Sequence, residues 1–177
     1  MFNALSALKN GDALQQRAYE AIDQVGVLDQ FASYQPIVCG TIPLNIHVDD
    51  SDLDIIFYVD DFDRFAEELQ NTFQQFEGFH LKRITIKGED VVKANFHAYG
   101  FEFELFGMNK PTERQHAYLH MVIEAALLER FSWLKDAVTR MKQQGYKTEA
   151  AFCECLGIQY HDPFDALLDY GRYHHFI

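Results

Sequence analysis

The sequence predicts an α+β protein: a small mixed β-sheet with helices on one face, followed by a C-terminal helical extension. Three observations carry this. Residues 53–59, 81–87, 91–97 and 101–106 read as strands, and the last, Phe101-Glu-Phe-Glu-Leu-Phe106, alternates apolar and acidic residues with the period of two of a half-buried strand. Between the first two, Phe62, Phe65, Ala66, Leu69, Phe73 and Phe76 recur at the spacing of an amphipathic helix. Beyond residue 111 the strand patterns stop and only helical ones continue. With 177 residues, 16 of them Phe and 9 Tyr, the chain can bury a substantial core. No Gly-, Ser- or Pro-rich linker divides it, so residues 1–177 read as a single domain, with an α/β core over 1–110 and a helical extension over 111–177 packed on that core.

The first helix is expected over residues 12–25, where Leu14, Ala18, Ala21, Ile22 and Val25 share a face and Asp12 is placed to cap. A short helical turn over 28–32 leads to Pro36 and a strand over 37–39 that ends at Gly40. The loop that follows carries His47, Asp49 and Asp50, expected as solvated residues. After the strand over 53–59, Asp60 and Asp61 offer a cap for the Phe-rich helix, with Gly78 as its stop. Gly88-Glu-Asp90 and Ala98-Tyr-Gly100 are hairpin-length turns between the last three strands. Pro111 and Thr112 open a long helix to about residue 131. Its circumference is apolar nearly all round, the mark of a buried helix, apart from a stripe of His116, His120 and Glu124 at successive turns. Three further helices are expected: 133–144 ending at Gly145, 149–156 capped by Thr148 and stopped by Gly157, and 163–170 capped by Asp162.

The chemistry is concentrated in Val38-Cys-Gly-Thr-Ile-Pro-Leu-Asn-Ile-His-Val-Asp-Asp-Ser-Asp-Leu-Asp-Ile-Ile-Phe-Tyr-Val59. Side chains two apart on a strand point the same way, so Asp52 and Asp54 present paired carboxylates while Leu53, Ile55 and Phe57 face the core. Acids at the mouth of a buried strand need a compensating charge, and hard oxygen ligands suit Mg²⁺. Gly40 permits close backbone approach to a ligand, and the Thr41 hydroxyl and the amide after it are donors for phosphate oxygens. A phosphate cradle beside a metal site implies phosphoryl or nucleotidyl transfer. A third acid, Glu102 or Glu104, lies on the strand over 101–106; both point to one face, about 6.6 Å apart at ~3.3 Å per residue, so one is a ligand and the other a neighbour.

Gly40-Thr41, a ten-residue gap and Asp52-Leu53-Asp54-Ile55 resemble the signature of the polymerase-β-type nucleotidyltransferase superfamily, with Thr in place of its Ser. Gly-Thr-Ile-Pro, Ser-Asp-Leu-Asp-Ile, Glu-Leu-Phe-Gly and Gln-His-Ala-Tyr-Leu-His-Met together resemble a bacterial family of uncharacterised proteins, a domain of unknown function within that superfamily. The resemblance implies a nucleotidyltransferase-like fold and Mg²⁺-dependent transfer of a nucleoside monophosphate from a nucleoside triphosphate such as ATP. It implies two Mg²⁺ ions on Asp52, Asp54 and a third acid, and its Glu-Leu-Phe-Gly stretch selects Glu104. The β and γ phosphates are expected at Gly40 and Thr41, and Gln115 and His120 as substrate-positioning residues.

Acids outnumber bases 27 to 15, a net charge of −12 that repels a phosphate backbone, and no basic cluster offsets it. The acceptor is therefore expected to be a small molecule or a protein, with no nucleic acid and no membrane as partner. Three cysteines without disulfide or zinc spacing, and no leader or membrane-length apolar run, lead us to expect a cytoplasmic protein. One alternative is a non-catalytic nucleotide- or partner-binding protein, antitoxin-like, on the same fold; loss of an acid would mark it, and all are present. Another is a zinc hydrolase on His116, His120 and Glu124, which lacks the glutamate of a protease His-x-x-x-His pair and any further ligand visible in the sequence.

Overall fold

The computed structural model describes residues 2–49 and 51–177; the loop acid Asp50 lies outside the described residues. Helices α1 (Ala4–Asn10), α2 (Ala13–Val25) and α3 (Val27–Gln30) and a 3₁₀ turn (Ala32–Tyr34) lead into strand β1 (Ile37–Cys39). Strand β2 (Leu53–Tyr58) and helix α4 (Phe62–Phe73) precede a meander of β3 (Glu77–Ile86), β4 (Glu89–Ala98) and β5 (Phe101–Met108). A 3₁₀ turn (Thr112–Arg114) then opens the helices α5 (His116–Arg130), α6 (Leu134–Gln143), α7 (Thr148–Leu156) and α8 (Pro163–Tyr173). The sheet order is β1-β2-β5-β4-β3, antiparallel throughout except for the parallel pair β2 and β5. The fold is therefore the expected mixed α+β architecture.

The alternation predicted for β5 is realised residue by residue. Phe101, Phe103, Leu105 and Gly107 are buried, and the residues between them are half-buried on the opposite face. Leu53, Ile55 and Phe57 lie on the buried face with Phe103 and Leu105, their partners in or next to register, and α4 covers that face. Aromatic rings knit it together: Phe103 stacks on Phe96 at 5.1 Å, Phe96 on Phe73 at 4.9 Å and Phe73 on Phe31 at 5.5 Å, while Phe65 meets Phe57 at 5.3 Å. Such pairs contribute about 0.5–1.5 kcal/mol each beyond their area burial. Gly107 belongs to this face for a steric reason, since a Cβ there would run into the Phe65 ring and come within 2.8 Å of Val59 Cγ2.

Several boundaries differ from expectation. Helix α1, held by an Asn3 cap and buried through Ala4 and Leu8, is too short for its periodicity to stand out. Helix α4 ends at Phe73 rather than at Gly78; Phe76 turns away to stack on Phe96 at 5.2 Å, and Gly78 takes a left-handed φ of +70° inside the irregular start of β3. The strands run longer than expected because their turns are two residues, Lys87-Gly88 and Tyr99-Gly100, all four with positive φ, the twist-matched hairpin geometry. The long helix begins at His116, since Gln115 remains extended at φ −74° and ψ 147°. Helix α7 includes Thr148, and Lys147 precedes it without a side-chain cap. The caps at Asp12, Asp61 and Asp162 are present as read. All three cysteines are free; Cys39 and Cys153 are buried and Cys155 half-buried. Among the described residues no helix is long and apolar enough to cross a membrane.

Candidate functional site

The parallel pairing of β2 with β5 places Asp54 directly opposite Glu104. Asp52 enters from the residue just before β2, and one oxygen from each of Asp52, Asp54 and Glu104 lies within 4.8 Å of the others. Glu102 stands one pleat away, opposite His97, outside this group. Asn95, opposite Glu104, spans the two glutamates: its Nδ2 donates to Glu102 Oε1 at 3.0 Å and to Glu104 Oε2 at 3.4 Å. Lys93 forms an ion pair with Glu104. Register thus settles which glutamate joins the aspartates, a choice the spacing of two left open.

Lys93, with Lys142 as a weaker opposing charge on Asp54, does not balance three acids. Asp54 is held well above the usual carboxylate range, by burial first and then by the Asp52 and Glu104 charges, and Asp52 is raised by burial and then by Glu104. Partly buried carboxylates that repel one another are the electrostatic setting a divalent cation relieves, and an all-oxygen set of this kind fits Mg²⁺.

The turn after β1 is pressed against these acids. Gly40 has φ +84°, and a Cβ on it would overlap Asp54 Oδ2, so only glycine lets the chain pass this close to the carboxylate. The Thr41 hydroxyl lies 3.3 Å from that of Ser51, whose oxygen accepts from Val48 N at 2.9 Å, cross-linking the two ends of the loop. The loop is less solvated than its polar residues imply: Ile42, Leu44 and Ile46 are buried, and His47 is half-buried. Gln15 on α2 anchors it. Its Oε1 accepts from Asp12 N in a capping box, while its Nε2 donates to the carbonyls of Ile42 at 2.9 Å and Pro43 at 3.1 Å. The capping box is legible in Asp12-x-x-Gln15; the second duty of the same amide is not.

Opposite the acids, α5, the α6–α7 connection and α8 form the far wall of a cavity of about 470 Å³. Gly40, Thr41, Asp52 and Asp54 line one side, and His120, Glu124, Lys142, Tyr146, Lys147 and Glu149 the other. A second cavity of about 230 Å³ shares Asp54 and continues past Glu104 to Lys87 and Lys110. Lys93, through its ion pair with Glu104, and Lys110 reach this region from the sheet side; Lys142 and Lys147 enter it through the packing of α6 and α7. The structure places Gln115 at the base of α5, almost wholly buried, where its Nε2 donates to the carbonyls of Phe57 and Lys110, both at 2.9 Å, and so ties the end of β2 to the start of the helix. His120 is buried with neither ring nitrogen hydrogen-bonded, and Phe164 of α8 stands edge-on to it at 5.7 Å.

This arrangement of sheet and helices is shared with solved nucleotidyl-transferring enzymes. The chain is similar to the Cid1 poly(U) polymerase in its MgGTP-bound structure, with a TM-score of 0.56 and 14% identity over 78% of this chain and 45% of that one. A second Cid1 structure, described for its RNA terminal uridylyl transferase activity, gives a TM-score of 0.55 and 13% identity over 78% and 44% of the two chains. A cytoplasmic RNA terminal U-transferase gives 0.50 and 15% over 78% and 42%. The likeness is one of fold, and the chain spans less than half the length of these structures. No curated protein matches the sequence. The family described as Domain of unknown function (DUF4269) matches residues 20–170, and the chain belongs to that family.

Proposed function

We propose that the protein is an Mg²⁺-dependent nucleotidyltransferase of the polymerase-β-type superfamily, moving a nucleoside monophosphate from a nucleoside triphosphate to a small-molecule or protein acceptor. The observation that carries this reading is the convergence of Asp52, Asp54 and Glu104 beside the Gly40-Thr41 turn on a nucleotidyltransferase fold. Asp52 and Asp54 would hold one Mg²⁺ ion, and Glu104 with both aspartates a second one. Bound there, Mg²⁺ supplies charge neutralisation at the phosphates and at the acceptor oxygen. Gly40 and Thr41 face the cavity and cradle the β and γ phosphates; Lys142 and Lys147 add positive charge across it. Residues 1–110 act as the catalytic core and residues 111–177 as the wall that bounds the acceptor side. A net charge of −12 disfavours a nucleic-acid acceptor, so tight, salt-sensitive binding of generic RNA or DNA would redirect the reading toward a polymerase-like role.

Melting temperature measured with and without Mg²⁺ and each common nucleoside triphosphate tests the site. A nucleotide shift that requires Mg²⁺ is expected in the wild type and is lost in Asp52→Asn and Asp54→Asn, which keep the fold and, without metal, melt no lower. Equal shifts in all three proteins would sink the two-aspartate site.

A further inference from the structure

Across the cavity from the aspartates, His120 and Glu124 sit one turn apart on α5, and Glu149 approaches from the first turn of α7. One ligand atom from each lies within 4.8 Å of the other two, and the group shares no residue with the Asp52, Asp54 and Glu104 set. We propose that His120, Glu124 and Glu149 form a separate centre for a divalent transition-metal ion, of which Zn²⁺ is the reference case, open on the cavity side.

The imidazole is the first reason. His120 is 4% exposed and both of its ring nitrogens lack a hydrogen-bond partner, a costly state for a buried polar group unless something absent from the protein chain uses it. The acids are the second. Glu124 is also 4% exposed, and neither it nor Glu149 shares a side-chain hydrogen bond with His120 or with the other, although the three converge. Glu149 is half-buried beside it, and Lys142 is the opposing charge nearby. A divalent ion neutralises both carboxylates and takes the imidazole lone pair, whereas a single ammonium group would neutralise only one.

The donor set separates this site from the strand acids. One imidazole and two carboxylates match the borderline ligands of Zn²⁺ and its neighbours, while the strand set is all oxygen and suits Mg²⁺. Ligand atoms about 3.3 Å apart belong to a tetrahedral shell with bonds of about 2.0–2.1 Å, so atoms that lie within 4.8 Å of one another must draw together by about 1.5 Å at most to hold an ion. All three residues line the cavity, which leaves the fourth position for water or for a donor atom of a molecule bound there. The further ligand that the His116, His120 and Glu124 stripe lacked is thus Glu149, and His116, exposed one turn away, is not part of the group.

The 177-residue chain is stripped with chelator, loaded with Zn²⁺ and passed through gel filtration, and bound metal is measured. One Zn²⁺ per chain is expected in the wild type and in the Asp52→Asn/Asp54→Asn double variant, with at least a tenfold loss of affinity in His120→Asn and in Glu149→Gln. Zinc-edge X-ray absorption of the wild type, which depends on no variant folding, should give one imidazole and otherwise oxygen ligands at about 2.0 Å. The site is overturned if the wild type retains no stoichiometric Zn²⁺, if the shell has no imidazole, or if binding is lost in the double aspartate variant but retained in Glu149→Gln. Stabilisation by simple amines but not by Zn²⁺ also overturns it and assigns the two glutamates to a cationic acceptor.

Discussion

Two acidic clusters face each other across one cavity, and they are held by different means. Asp54 and Glu104 occupy matched positions on hydrogen-bonded neighbouring strands, so backbone register fixes their separation, and Asn95 and Lys93 brace Glu104 from the next strand. His120, Glu124 and Glu149 come from two helices whose relative position rests on side-chain packing, and they are the more deeply buried group. Each cluster is therefore vulnerable in a different place. The strand group should be sensitive to individual ligands and to what leans on them; the helix group should be sensitive to how α5, α7 and α8 seat against one another.

The largest effect is expected within β5 itself. Glu104→Gln should lower metal-dependent turnover roughly a hundredfold or more, about 3 kcal/mol of lost transition-state stabilisation, while Glu102→Gln should change it by a few-fold at most. Steady-state rates for the two variants decide the matter, and similar losses would dissolve the distinction drawn from register.

Gly40→Ala tests the turn that leans on Asp54. Its Cβ must enter the space of Asp54 Oδ2 at a φ of +84°, a backbone cost of about 1–2 kcal/mol in addition to displacing the carboxylate. Titration of Mg²⁺-nucleotide should reveal a loss of affinity larger than the loss of stability read from urea unfolding. An alanine variant with wild-type affinity would place the nucleotide elsewhere.

On the helical side, Gly171 of α8 lies against Ile123 of α5, where a Cβ would come within 2.5 Å of Ile123 Cγ1. Gly171→Ala should cost about 1–3 kcal/mol through overpacking, partly offset by the helix preference for alanine. Because Ile123 adjoins Glu124, Zn²⁺ affinity should fall in this variant while Mg²⁺-nucleotide affinity stays near wild type. Equal effects on both ligands would mean that the clusters are mechanically one.

The smallest effect concerns neither cluster. The Tyr34 hydroxyl donates to Glu68 Oε2 at 2.8 Å, and burial, then this bond to an acid, raise the phenol to about 12. A phenol whose pKa is higher folded than unfolded contributes stability that is full below pH 10 and declines as pH rises from 10 to about 12. Tyr34→Phe should cost about 1 kcal/mol at neutral pH and flatten that alkaline decline, as read by chemical denaturation at a series of pH values.

Much of the strand cluster is legible in the sequence alone. Asp52 and Asp54 declare a shared face through alternation, Gly40 marks a close approach, and the acidic alternation of Phe101 to Phe106 names two residues for the third position, because strand geometry acts over neighbours two apart. The caps at Asp12, Asp61 and Asp162 were legible for the same local reason, and the helix break after Phe73 was not, since Phe76 leaves the helix to reach a ring on β4. Between Glu102 and Glu104 the strand pattern is silent and only the family resemblance points to Glu104; the parallel register of β2 and β5 is what brings Glu104, and not Glu102, beside the aspartates. Tertiary structure alone brought Glu149, Lys142 and Lys147 to the cavity, because they lie on or beside separate helices with no repeating pattern to connect them to His120. Periodicity acts along one element; which faces meet is set by the packing of whole elements, and that is where the second cluster originates.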